Sequence, residues 1–278
     1  MTDRDHDQSR PTPAPEPAAD APDTAQEATG HDPTPTIADD LKPEQREARA
    51  KRIGRRAPVI GGVVAVVAAA LLGLIVSARR DFLFEFDEEW AEDVLAVRGP
   101  AGDVFSYFMN ALGGGIVGVF VVPIAVALAL LIFRRPWGAL YFIVASAASA
   151  GAVQLLKNLF GRARPEDIIV ASDFGSFPSG HVANAATIAV ALGVIVPHVW
   201  VWIWGAVYTL LMAASRTYLG AHWLSDTVGG MLVGAGVALL VWVVFATPLE
   251  RERLEWTARL AARNAARAQA HITPPAKR

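Results

Sequence analysis

"VANAATIAVALGVIVPHVWVWIWGAVYTLLMAA", residues 182–214, is apolar almost without a break. As one helix it would run roughly 50 Å at 1.5 Å per residue. A bilayer core of ~30 Å cannot hold that length. The chain therefore has to turn inside it, and Pro197–His198 supplies the turn. Two short spans result, at about 180–196 and 199–215.

Four further spans are read on either side: 57–78, 111–133, 137–156 and 224–246. The expected fold is all-α, a bundle of six transmembrane helices, because lipid offers the backbone of a helical chain no other partners. Of the 278 residues, 53% are hydrophobic and the net charge is −2. That balance points away from nucleic acid. The chain has no cysteine, which excludes disulfides, thiolate metal sites and a cysteine nucleophile. Residues 1–50 are rich in Pro, Ala, Asp and Thr and read as a disordered tail. The six-span domain is then 51–250, and 251–278 is a basic tail, partly helical.

Loop charge sets the orientation. With the N-terminus in the cytoplasm, inside ends carry Lys51, Arg52, Arg55, Arg56, Arg134, Arg135, Arg251 and Arg253, against Arg79, Arg80 and Arg98 outside. The segment 81–93, "DFLFEFDEEWAED", reads as an acidic outer loop whose aromatic residues lie at the headgroup layer or pack on the bundle. The expected location is the cell membrane, with both termini cytoplasmic.

Three polar clusters stand at span ends: "KNLFGRARP" (157–165), "PSGH" (178–181) and "SRTYLGAHWLSD" (215–226). No crossing separates the first two, and two crossings separate His181 from Arg216. All three therefore emerge on one face, which the charge pattern makes the extracytoplasmic one. Lys157, Arg164 and Arg216 form a seat for a multiply charged anion, since guanidinium forks match phosphate oxygens. Ser179 and Gly180 open a helix, so free N–H groups and the positive dipole end also face the anion. His222 and Asp226 are four apart, which on a helix places them on one face. The carboxylate would then hold one ring nitrogen as N–H and leave the other as a lone pair.

Lys157 and Arg164-Pro165, then Pro178-Ser179-Gly180-His181, then Ser215-Arg216, His222 and Asp226 together resemble the three-part signature of the type-2 phosphatidic acid phosphatase family. This is the lipid phosphate phosphatase and vanadium haloperoxidase superfamily. The resemblance covers about 57–246. It implies a membrane phosphatase acting on a lipid phosphate or diphosphate: phosphatidic acid, phosphatidylglycerol phosphate or a polyprenyl (di)phosphate. It implies His222 as nucleophile, forming a phosphohistidine, and Asp226 as its orienting carboxylate. His181 would be the acid and then the base. Lys157, Arg164, Arg216, the Ser179 hydroxyl and the amides of Ser179 and Gly180 would hold the phosphoryl oxygens. No cofactor is implied, and the remaining histidines offer no convincing metal-ligand set. Two alternatives stand beside this reading: a transporter or scaffold without turnover, and a vanadate-dependent haloperoxidase.

The other features read as structural. Arg162 lies outside the three pieces and reads as an anchor to headgroups. Gly114/Gly118 and Gly230/Gly234 read as small pairs for close helix packing. Pro123 is expected to kink its span. The loop 166–177 is expected to cover the site. Residues 250–270 read as a basic helix, able to lie on anionic lipid or in solvent.

Overall fold

The computed structural model describes residues 43–78, 82–171 and 173–272. The tail expected over 1–50 lies, up to residue 42, outside the described residues, as do Arg79 and Arg80. Contacts divide the chain into Met1–Arg46 and Glu47–Arg278, and the packing below is that of the second unit. The described residues form eight α-helices and one π-helical turn, with no strand among them: α1 (Pro43–Ala78), α2 (Phe82–Ala96), α3 (Pro100–Gly113), the π turn (Val117–Val121), α4 (Val122–Ile132), α5 (Pro136–Phe160), α6 (Gly180–Ile195), α7 (Val199–Tyr218) and α8 (Leu224–Ile272).

The long apolar run turns where its length requires. α6 ends at Ile195 and α7 begins at Val199, with Pro197–His198 between them. At Gly193, any side chain would overlap the Trp202 ring, so the two helices meet closely at this turn. α6 packs against α5, α7 and α8, and is the centre of the bundle. Its alanines and glycines make this possible, because small residues let backbones approach. α8 answers with Gly230 and Gly234, whose Cα positions rest on the main chain of Ser179 and Ala183. That pair serves close packing as expected. A polar thread, with Thr187 Oγ1 donating to Ser149 Oγ at 2.8 Å, ties α6 to α5 inside this core.

The outward faces are as apolar as the core. Val64, Leu71, Ile124, Leu155, Trp200 and Trp204 are all exposed. Helices apolar on every side belong in lipid. Among the described residues, four helices are long and apolar enough to cross a membrane: Arg56–Ala78, Pro136–Phe160, Val199–Tyr218 and Leu224–Arg267. The bent pair Pro100–Gly113 and Val117–Ile132 makes a fifth if counted as one span. The sixth expected span, α6, has only 16 residues. At 1.5 Å per residue that is about 24 Å, short of a full core.

Three local expectations change. The span read at 111–133 is α3, a break, the π turn and α4, bent by 49°. The bend falls at Gly114–Gly115, where Gly115 has φ +58°, and not at Pro123. Pro123 lacks an N–H and its ring crowds the preceding turn; the chain meets this with the wider turn in which Val122 N–H donates to Val117 O. Gly114 lies close against α6 through His181, as expected of a small residue, whereas Gly118 lies against its own chain. A side chain at Gly114 would overlap the His181 ring, and one at Gly118 the carbonyl end of Gly113. The acidic "loop" read at 81–93 is, from Phe82 on, helix α2; its charged residues suit a helix with one buried face, which a reading based on charge alone overlooks.

At the end of the bundle away from residue 180, Glu252 of α8 accepts N–H groups at the start of α5, from Trp137 at 2.7 Å and Gly138 at 3.1 Å. Arg135 beside it donates to Ile195 O at the end of α6. A carboxylate at a helix N-terminus and a guanidinium at a C-terminus both suit the helix dipoles.

Candidate active site

The site is assembled at the ends of helices. α5 carries Lys157 in its last turn and stops at Gly161, whose φ of +53° is left-handed and natural to glycine. The chain then loops through Arg162, Arg164 and Asp173 to Ser179, the cap of α6, with Gly180 and His181 beginning that helix. Arg216 lies in the last turn of α7. Six residues later comes His222, just ahead of α8. Lys157, Arg164, Gly180, His181, Arg216 and His222 line one cavity of about 620 Å³. Residues from all three sequence clusters thus meet at one cavity.

His222 is buried. Its Nε2 faces Arg164 Nη1 at 3.3 Å. A guanidinium only donates, so Nε2 presents a lone pair and the ring proton sits on Nδ1. Nδ1 stands 3.6 Å from Asp226 Oδ2, an ion-pair distance longer than a hydrogen bond. Burial, with the positive charge of Arg216, Arg164 and Lys157, pushes the His222 pKa well below its usual value. The ring is therefore neutral at pH 7.

Asp226 is fully buried and does more than face His222. Helix α8 starts at Leu224, so His222 precedes it and the pair does not share a helical face as expected from the spacing. Asp226 Oδ2 accepts the Trp223 N–H at 2.9 Å, an acid in the first turn reaching back to cap its own helix. Its Oδ1 accepts from Arg162 Nη1 at 2.6 Å. Arg162, read from sequence as a headgroup anchor, is buried instead, bridging Asp226 to Asp87 of α2. The sequence offered no signal for that pairing beyond a second arginine between Lys157 and Arg164.

The anion seat is filled by the protein itself. Lys157 Nζ donates to both carboxylate oxygens of Asp173, at 2.9 and 3.1 Å. Arg164 Nη2 donates to Asp173 Oδ1 at 2.6 Å and to Gly175 O at 2.9 Å. Burial alone would raise the Asp173 pKa, but Lys157 and Arg164 outweigh it and hold the carboxyl below its usual range. Asp173 was not among the residues picked from sequence, although the loop expected to cover the site contains it. Asn110 of α3 was also missed. Its side-chain oxygen accepts from Arg216 Nη1, and its main-chain oxygen lies 3.2 Å from His181 Nε2.

One expected donor is otherwise engaged. The Ser179 N–H donates to Asp226 O at 3.0 Å, so that amide is not free for an anion. The Ser179 hydroxyl is buried without a hydrogen-bond partner. Beyond the polar groups the cavity runs between α4 and α5, past Val119, Phe120, Ile124 and Ile143.

The PAP2 superfamily pattern matches residues 138–249. Phosphatidylglycerophosphatase B of Bacillus subtilis is 30% identical over 172 residues, covering 56% of this chain and 81% of that protein. The chain belongs to the PAP2 superfamily. Undecaprenyl-diphosphatase of Sulfolobus acidocaldarius is 40% identical over 65 residues, 23% of this chain and 31% of that protein. Among solved structures, the transmembrane PAP2-type phosphatidylglycerolphosphate phosphatase from Bacillus subtilis superposes with a TM-score of 0.56 at 26% identity, covering 64% of this chain and 94% of that one. The PAP2 match begins inside α5, so α1 to α4, with Asp87 and Asn110, lie outside it.

Proposed function

We propose that this PAP2 chain is an integral membrane phosphatase that hydrolyses a lipid phosphate or diphosphate through a phosphohistidine. The observation that carries the reading is the shared cavity: a neutral imidazole with its lone pair facing an arginine, a second imidazole, and three cations around one phosphate-sized seat. The relatives whose names state a lipid phosphate substrate support the same class.

In the proposed reaction a phosphoryl group displaces Asp173 from Lys157 and Arg164. Arg164 turns from His222 Nε2 onto a phosphoryl oxygen. Nε2 attacks phosphorus, forming a P–N bond while the ester P–O bond breaks. His181 gives its proton to the leaving oxygen. Water then attacks phosphorus, His181 takes the proton, and the P–N bond breaks to free inorganic phosphate. Lys157, Arg164, Arg216, the Ser179 hydroxyl and the Gly180 amide steady the charge spreading over the oxygens, each such donor worth roughly 10²–10³ in rate. Asp226 supports the positive charge on the His222 ring. These cations supply the charge a metal would bring, so activity should survive a chelator. The apolar arm of the cavity between α4 and α5 suits an amphiphile whose phosphate lies at headgroup depth. We place this site on the extracytoplasmic face of six crossings.

The test is phosphate release by the purified chain from phosphatidic acid, phosphatidylglycerol phosphate, a polyprenyl diphosphate and a soluble phosphate ester, beside His222→Ala. The expected result is turnover of at least one lipid substrate in preference to the soluble ester, lost in His222→Ala. Near-normal release by His222→Ala would remove the nucleophile, and release from the soluble ester alone would remove the lipid class.

A further inference from the structure

Arg162 belongs to none of the three motif pieces, yet it is one of the most heavily engaged side chains near the site. It is 7% exposed. Nη1 donates to Asp226 Oδ1 at 2.6 Å and to Ser225 Oγ at 2.7 Å, and Nη2 donates to Asp87 Oδ2 at 2.7 Å. The guanidinium carbon lies 5.5 Å over the Trp223 ring. Asp87 is fully buried on α2 and also accepts the Ser225 N–H at 2.9 Å and the Ser225 hydroxyl.

The arrangement constrains Asp226 from two sides. Arg162 fixes one carboxylate oxygen, and the Trp223 N–H takes part of the other, which leaves Oδ2 directed at His222 Nδ1. Without Arg162 the carboxylate would keep the Trp223 N–H and the Ser176 side chain but lose its charged partner, and could rotate about its Cβ–Cγ bond and lose that aim. Arg162 itself needs a fixed backing, and Asp87 supplies it. One guanidinium between two buried carboxylates leaves one negative charge over on this side of the ring, opposite Arg164, Arg216 and Lys157, and offsets part of their bias against the cationic ring that forms when Nε2 is phosphorylated. Buried charge is costly unless paired, so this excess favours the charged ring.

We propose that Arg162, braced by Asp87, is a positioning residue for His222 acting through Asp226, and that α2 is therefore part of the catalytic machinery although it lies outside the PAP2 match. The kinetic part of this proposal rests on the phosphatase reading; the tautomer part does not.

The test uses Arg162→Gln, Arg162→Lys and Asp87→Asn in the full-length chain, purified in detergent. Two quantities are read: kcat and KM for the best lipid phosphate, and the ¹⁵N histidine spectrum, with His222 assigned by difference against His222→Gln. Partners that orient a reacting imidazole typically cost about 10- to 100-fold when removed. The expected result is a loss of that size in kcat for Arg162→Gln and Asp87→Asn, with KM changed by less than about threefold and partial recovery in Arg162→Lys. The His222 spectrum, dominated by the Nδ1–H tautomer in the parent chain, should become a mixture in both neutral variants. A loss confined to KM, an unchanged kcat, or a lowered kcat with an unchanged tautomer would each overturn the positioning role. Should Arg162→Gln fail to fold, Asp87→Asn keeps the volume of its site and decides the question alone. A parent chain silent on every lipid phosphate would remove the phosphatase reading, while the tautomer spectra would still judge the link from Asp87 to His222.

Discussion

A neutral His222 follows from its surroundings. Burial and three nearby cations lower its pKa in the folded chain below the ordinary 6.5. The unfolded chain takes up a proton near 6.5 that the folded chain does not. The ring's contribution to stability is therefore intact above that pH and is lost as pH falls below it. The ¹⁵N spectrum of His222 should keep its neutral pattern on acidification through pH 6; a protonation midpoint at or above 6.5 would contradict the burial argument. Asp173 gives a second prediction. Its carboxylate competes with the substrate for Lys157 and Arg164, and its side chain is 57% exposed. Asp173→Asn removes a like charge from the path of an incoming phosphoryl group. Exposed ion pairs are worth up to about 1 kcal/mol, so inhibition by inorganic phosphate should tighten by up to roughly fivefold. Weaker inhibition would mean that Asp173 helps to hold the anion. The sequence disclosed the residues that bring charge to the seat, because they stand at fixed spacing in three short polar clusters. It concealed Asp87, Asn110, Arg162 and Asp173, because a buried partner from another element leaves no local period and an isolated acidic residue looks solvated.

Elements position these residues by how closely they approach. α6 carries His181 and α8 carries Asp226, and the two helices meet through Gly230 and Gly234. A methyl at Gly234 would overlap the main-chain carbonyl of Ala183, which cannot move without shifting the helix. Gly234→Ala should cost about 1–3 kcal/mol as an overpacked core, read as a lower thermal midpoint in detergent. A midpoint equal to that of the parent would show that the helices have room to spare. The turn at Pro197–His198 was readable from length and hydropathy alone. The break at Gly114–Gly115 was not, because the His181 ring that leaves no room for a side chain at Gly114 comes from a distant part of the chain. The same holds for α2: its acidic residues suggest a loop until Asp87 is seen to bind the start of α8.

At the scale of the whole molecule, the proposed sidedness turns on α6. The helix has 16 residues, shorter than a full hydrocarbon core, yet it joins the site at Gly180 to the turn at Pro197–His198. If it crosses, the site and that turn lie on opposite sides of the membrane, and the proposal drawn from the charge pattern is that the site is the outer one. A chain without cysteine makes this measurable, since a single introduced thiol labels without background. Glu166 and His198 are both exposed, one in the loop over the site and the other at the turn. A membrane-impermeant maleimide on intact cells should modify Glu166→Cys, and should reach His198→Cys only after permeabilisation. Labelling of both from outside would mean that α6 enters and returns without crossing. Protection of Glu166→Cys with labelling of His198→Cys would invert the bundle. The inverted result would leave the chemistry of the cavity untouched but would move the substrate to the cytoplasmic leaflet, so the side that labels decides which pool of lipid phosphate this site can reach.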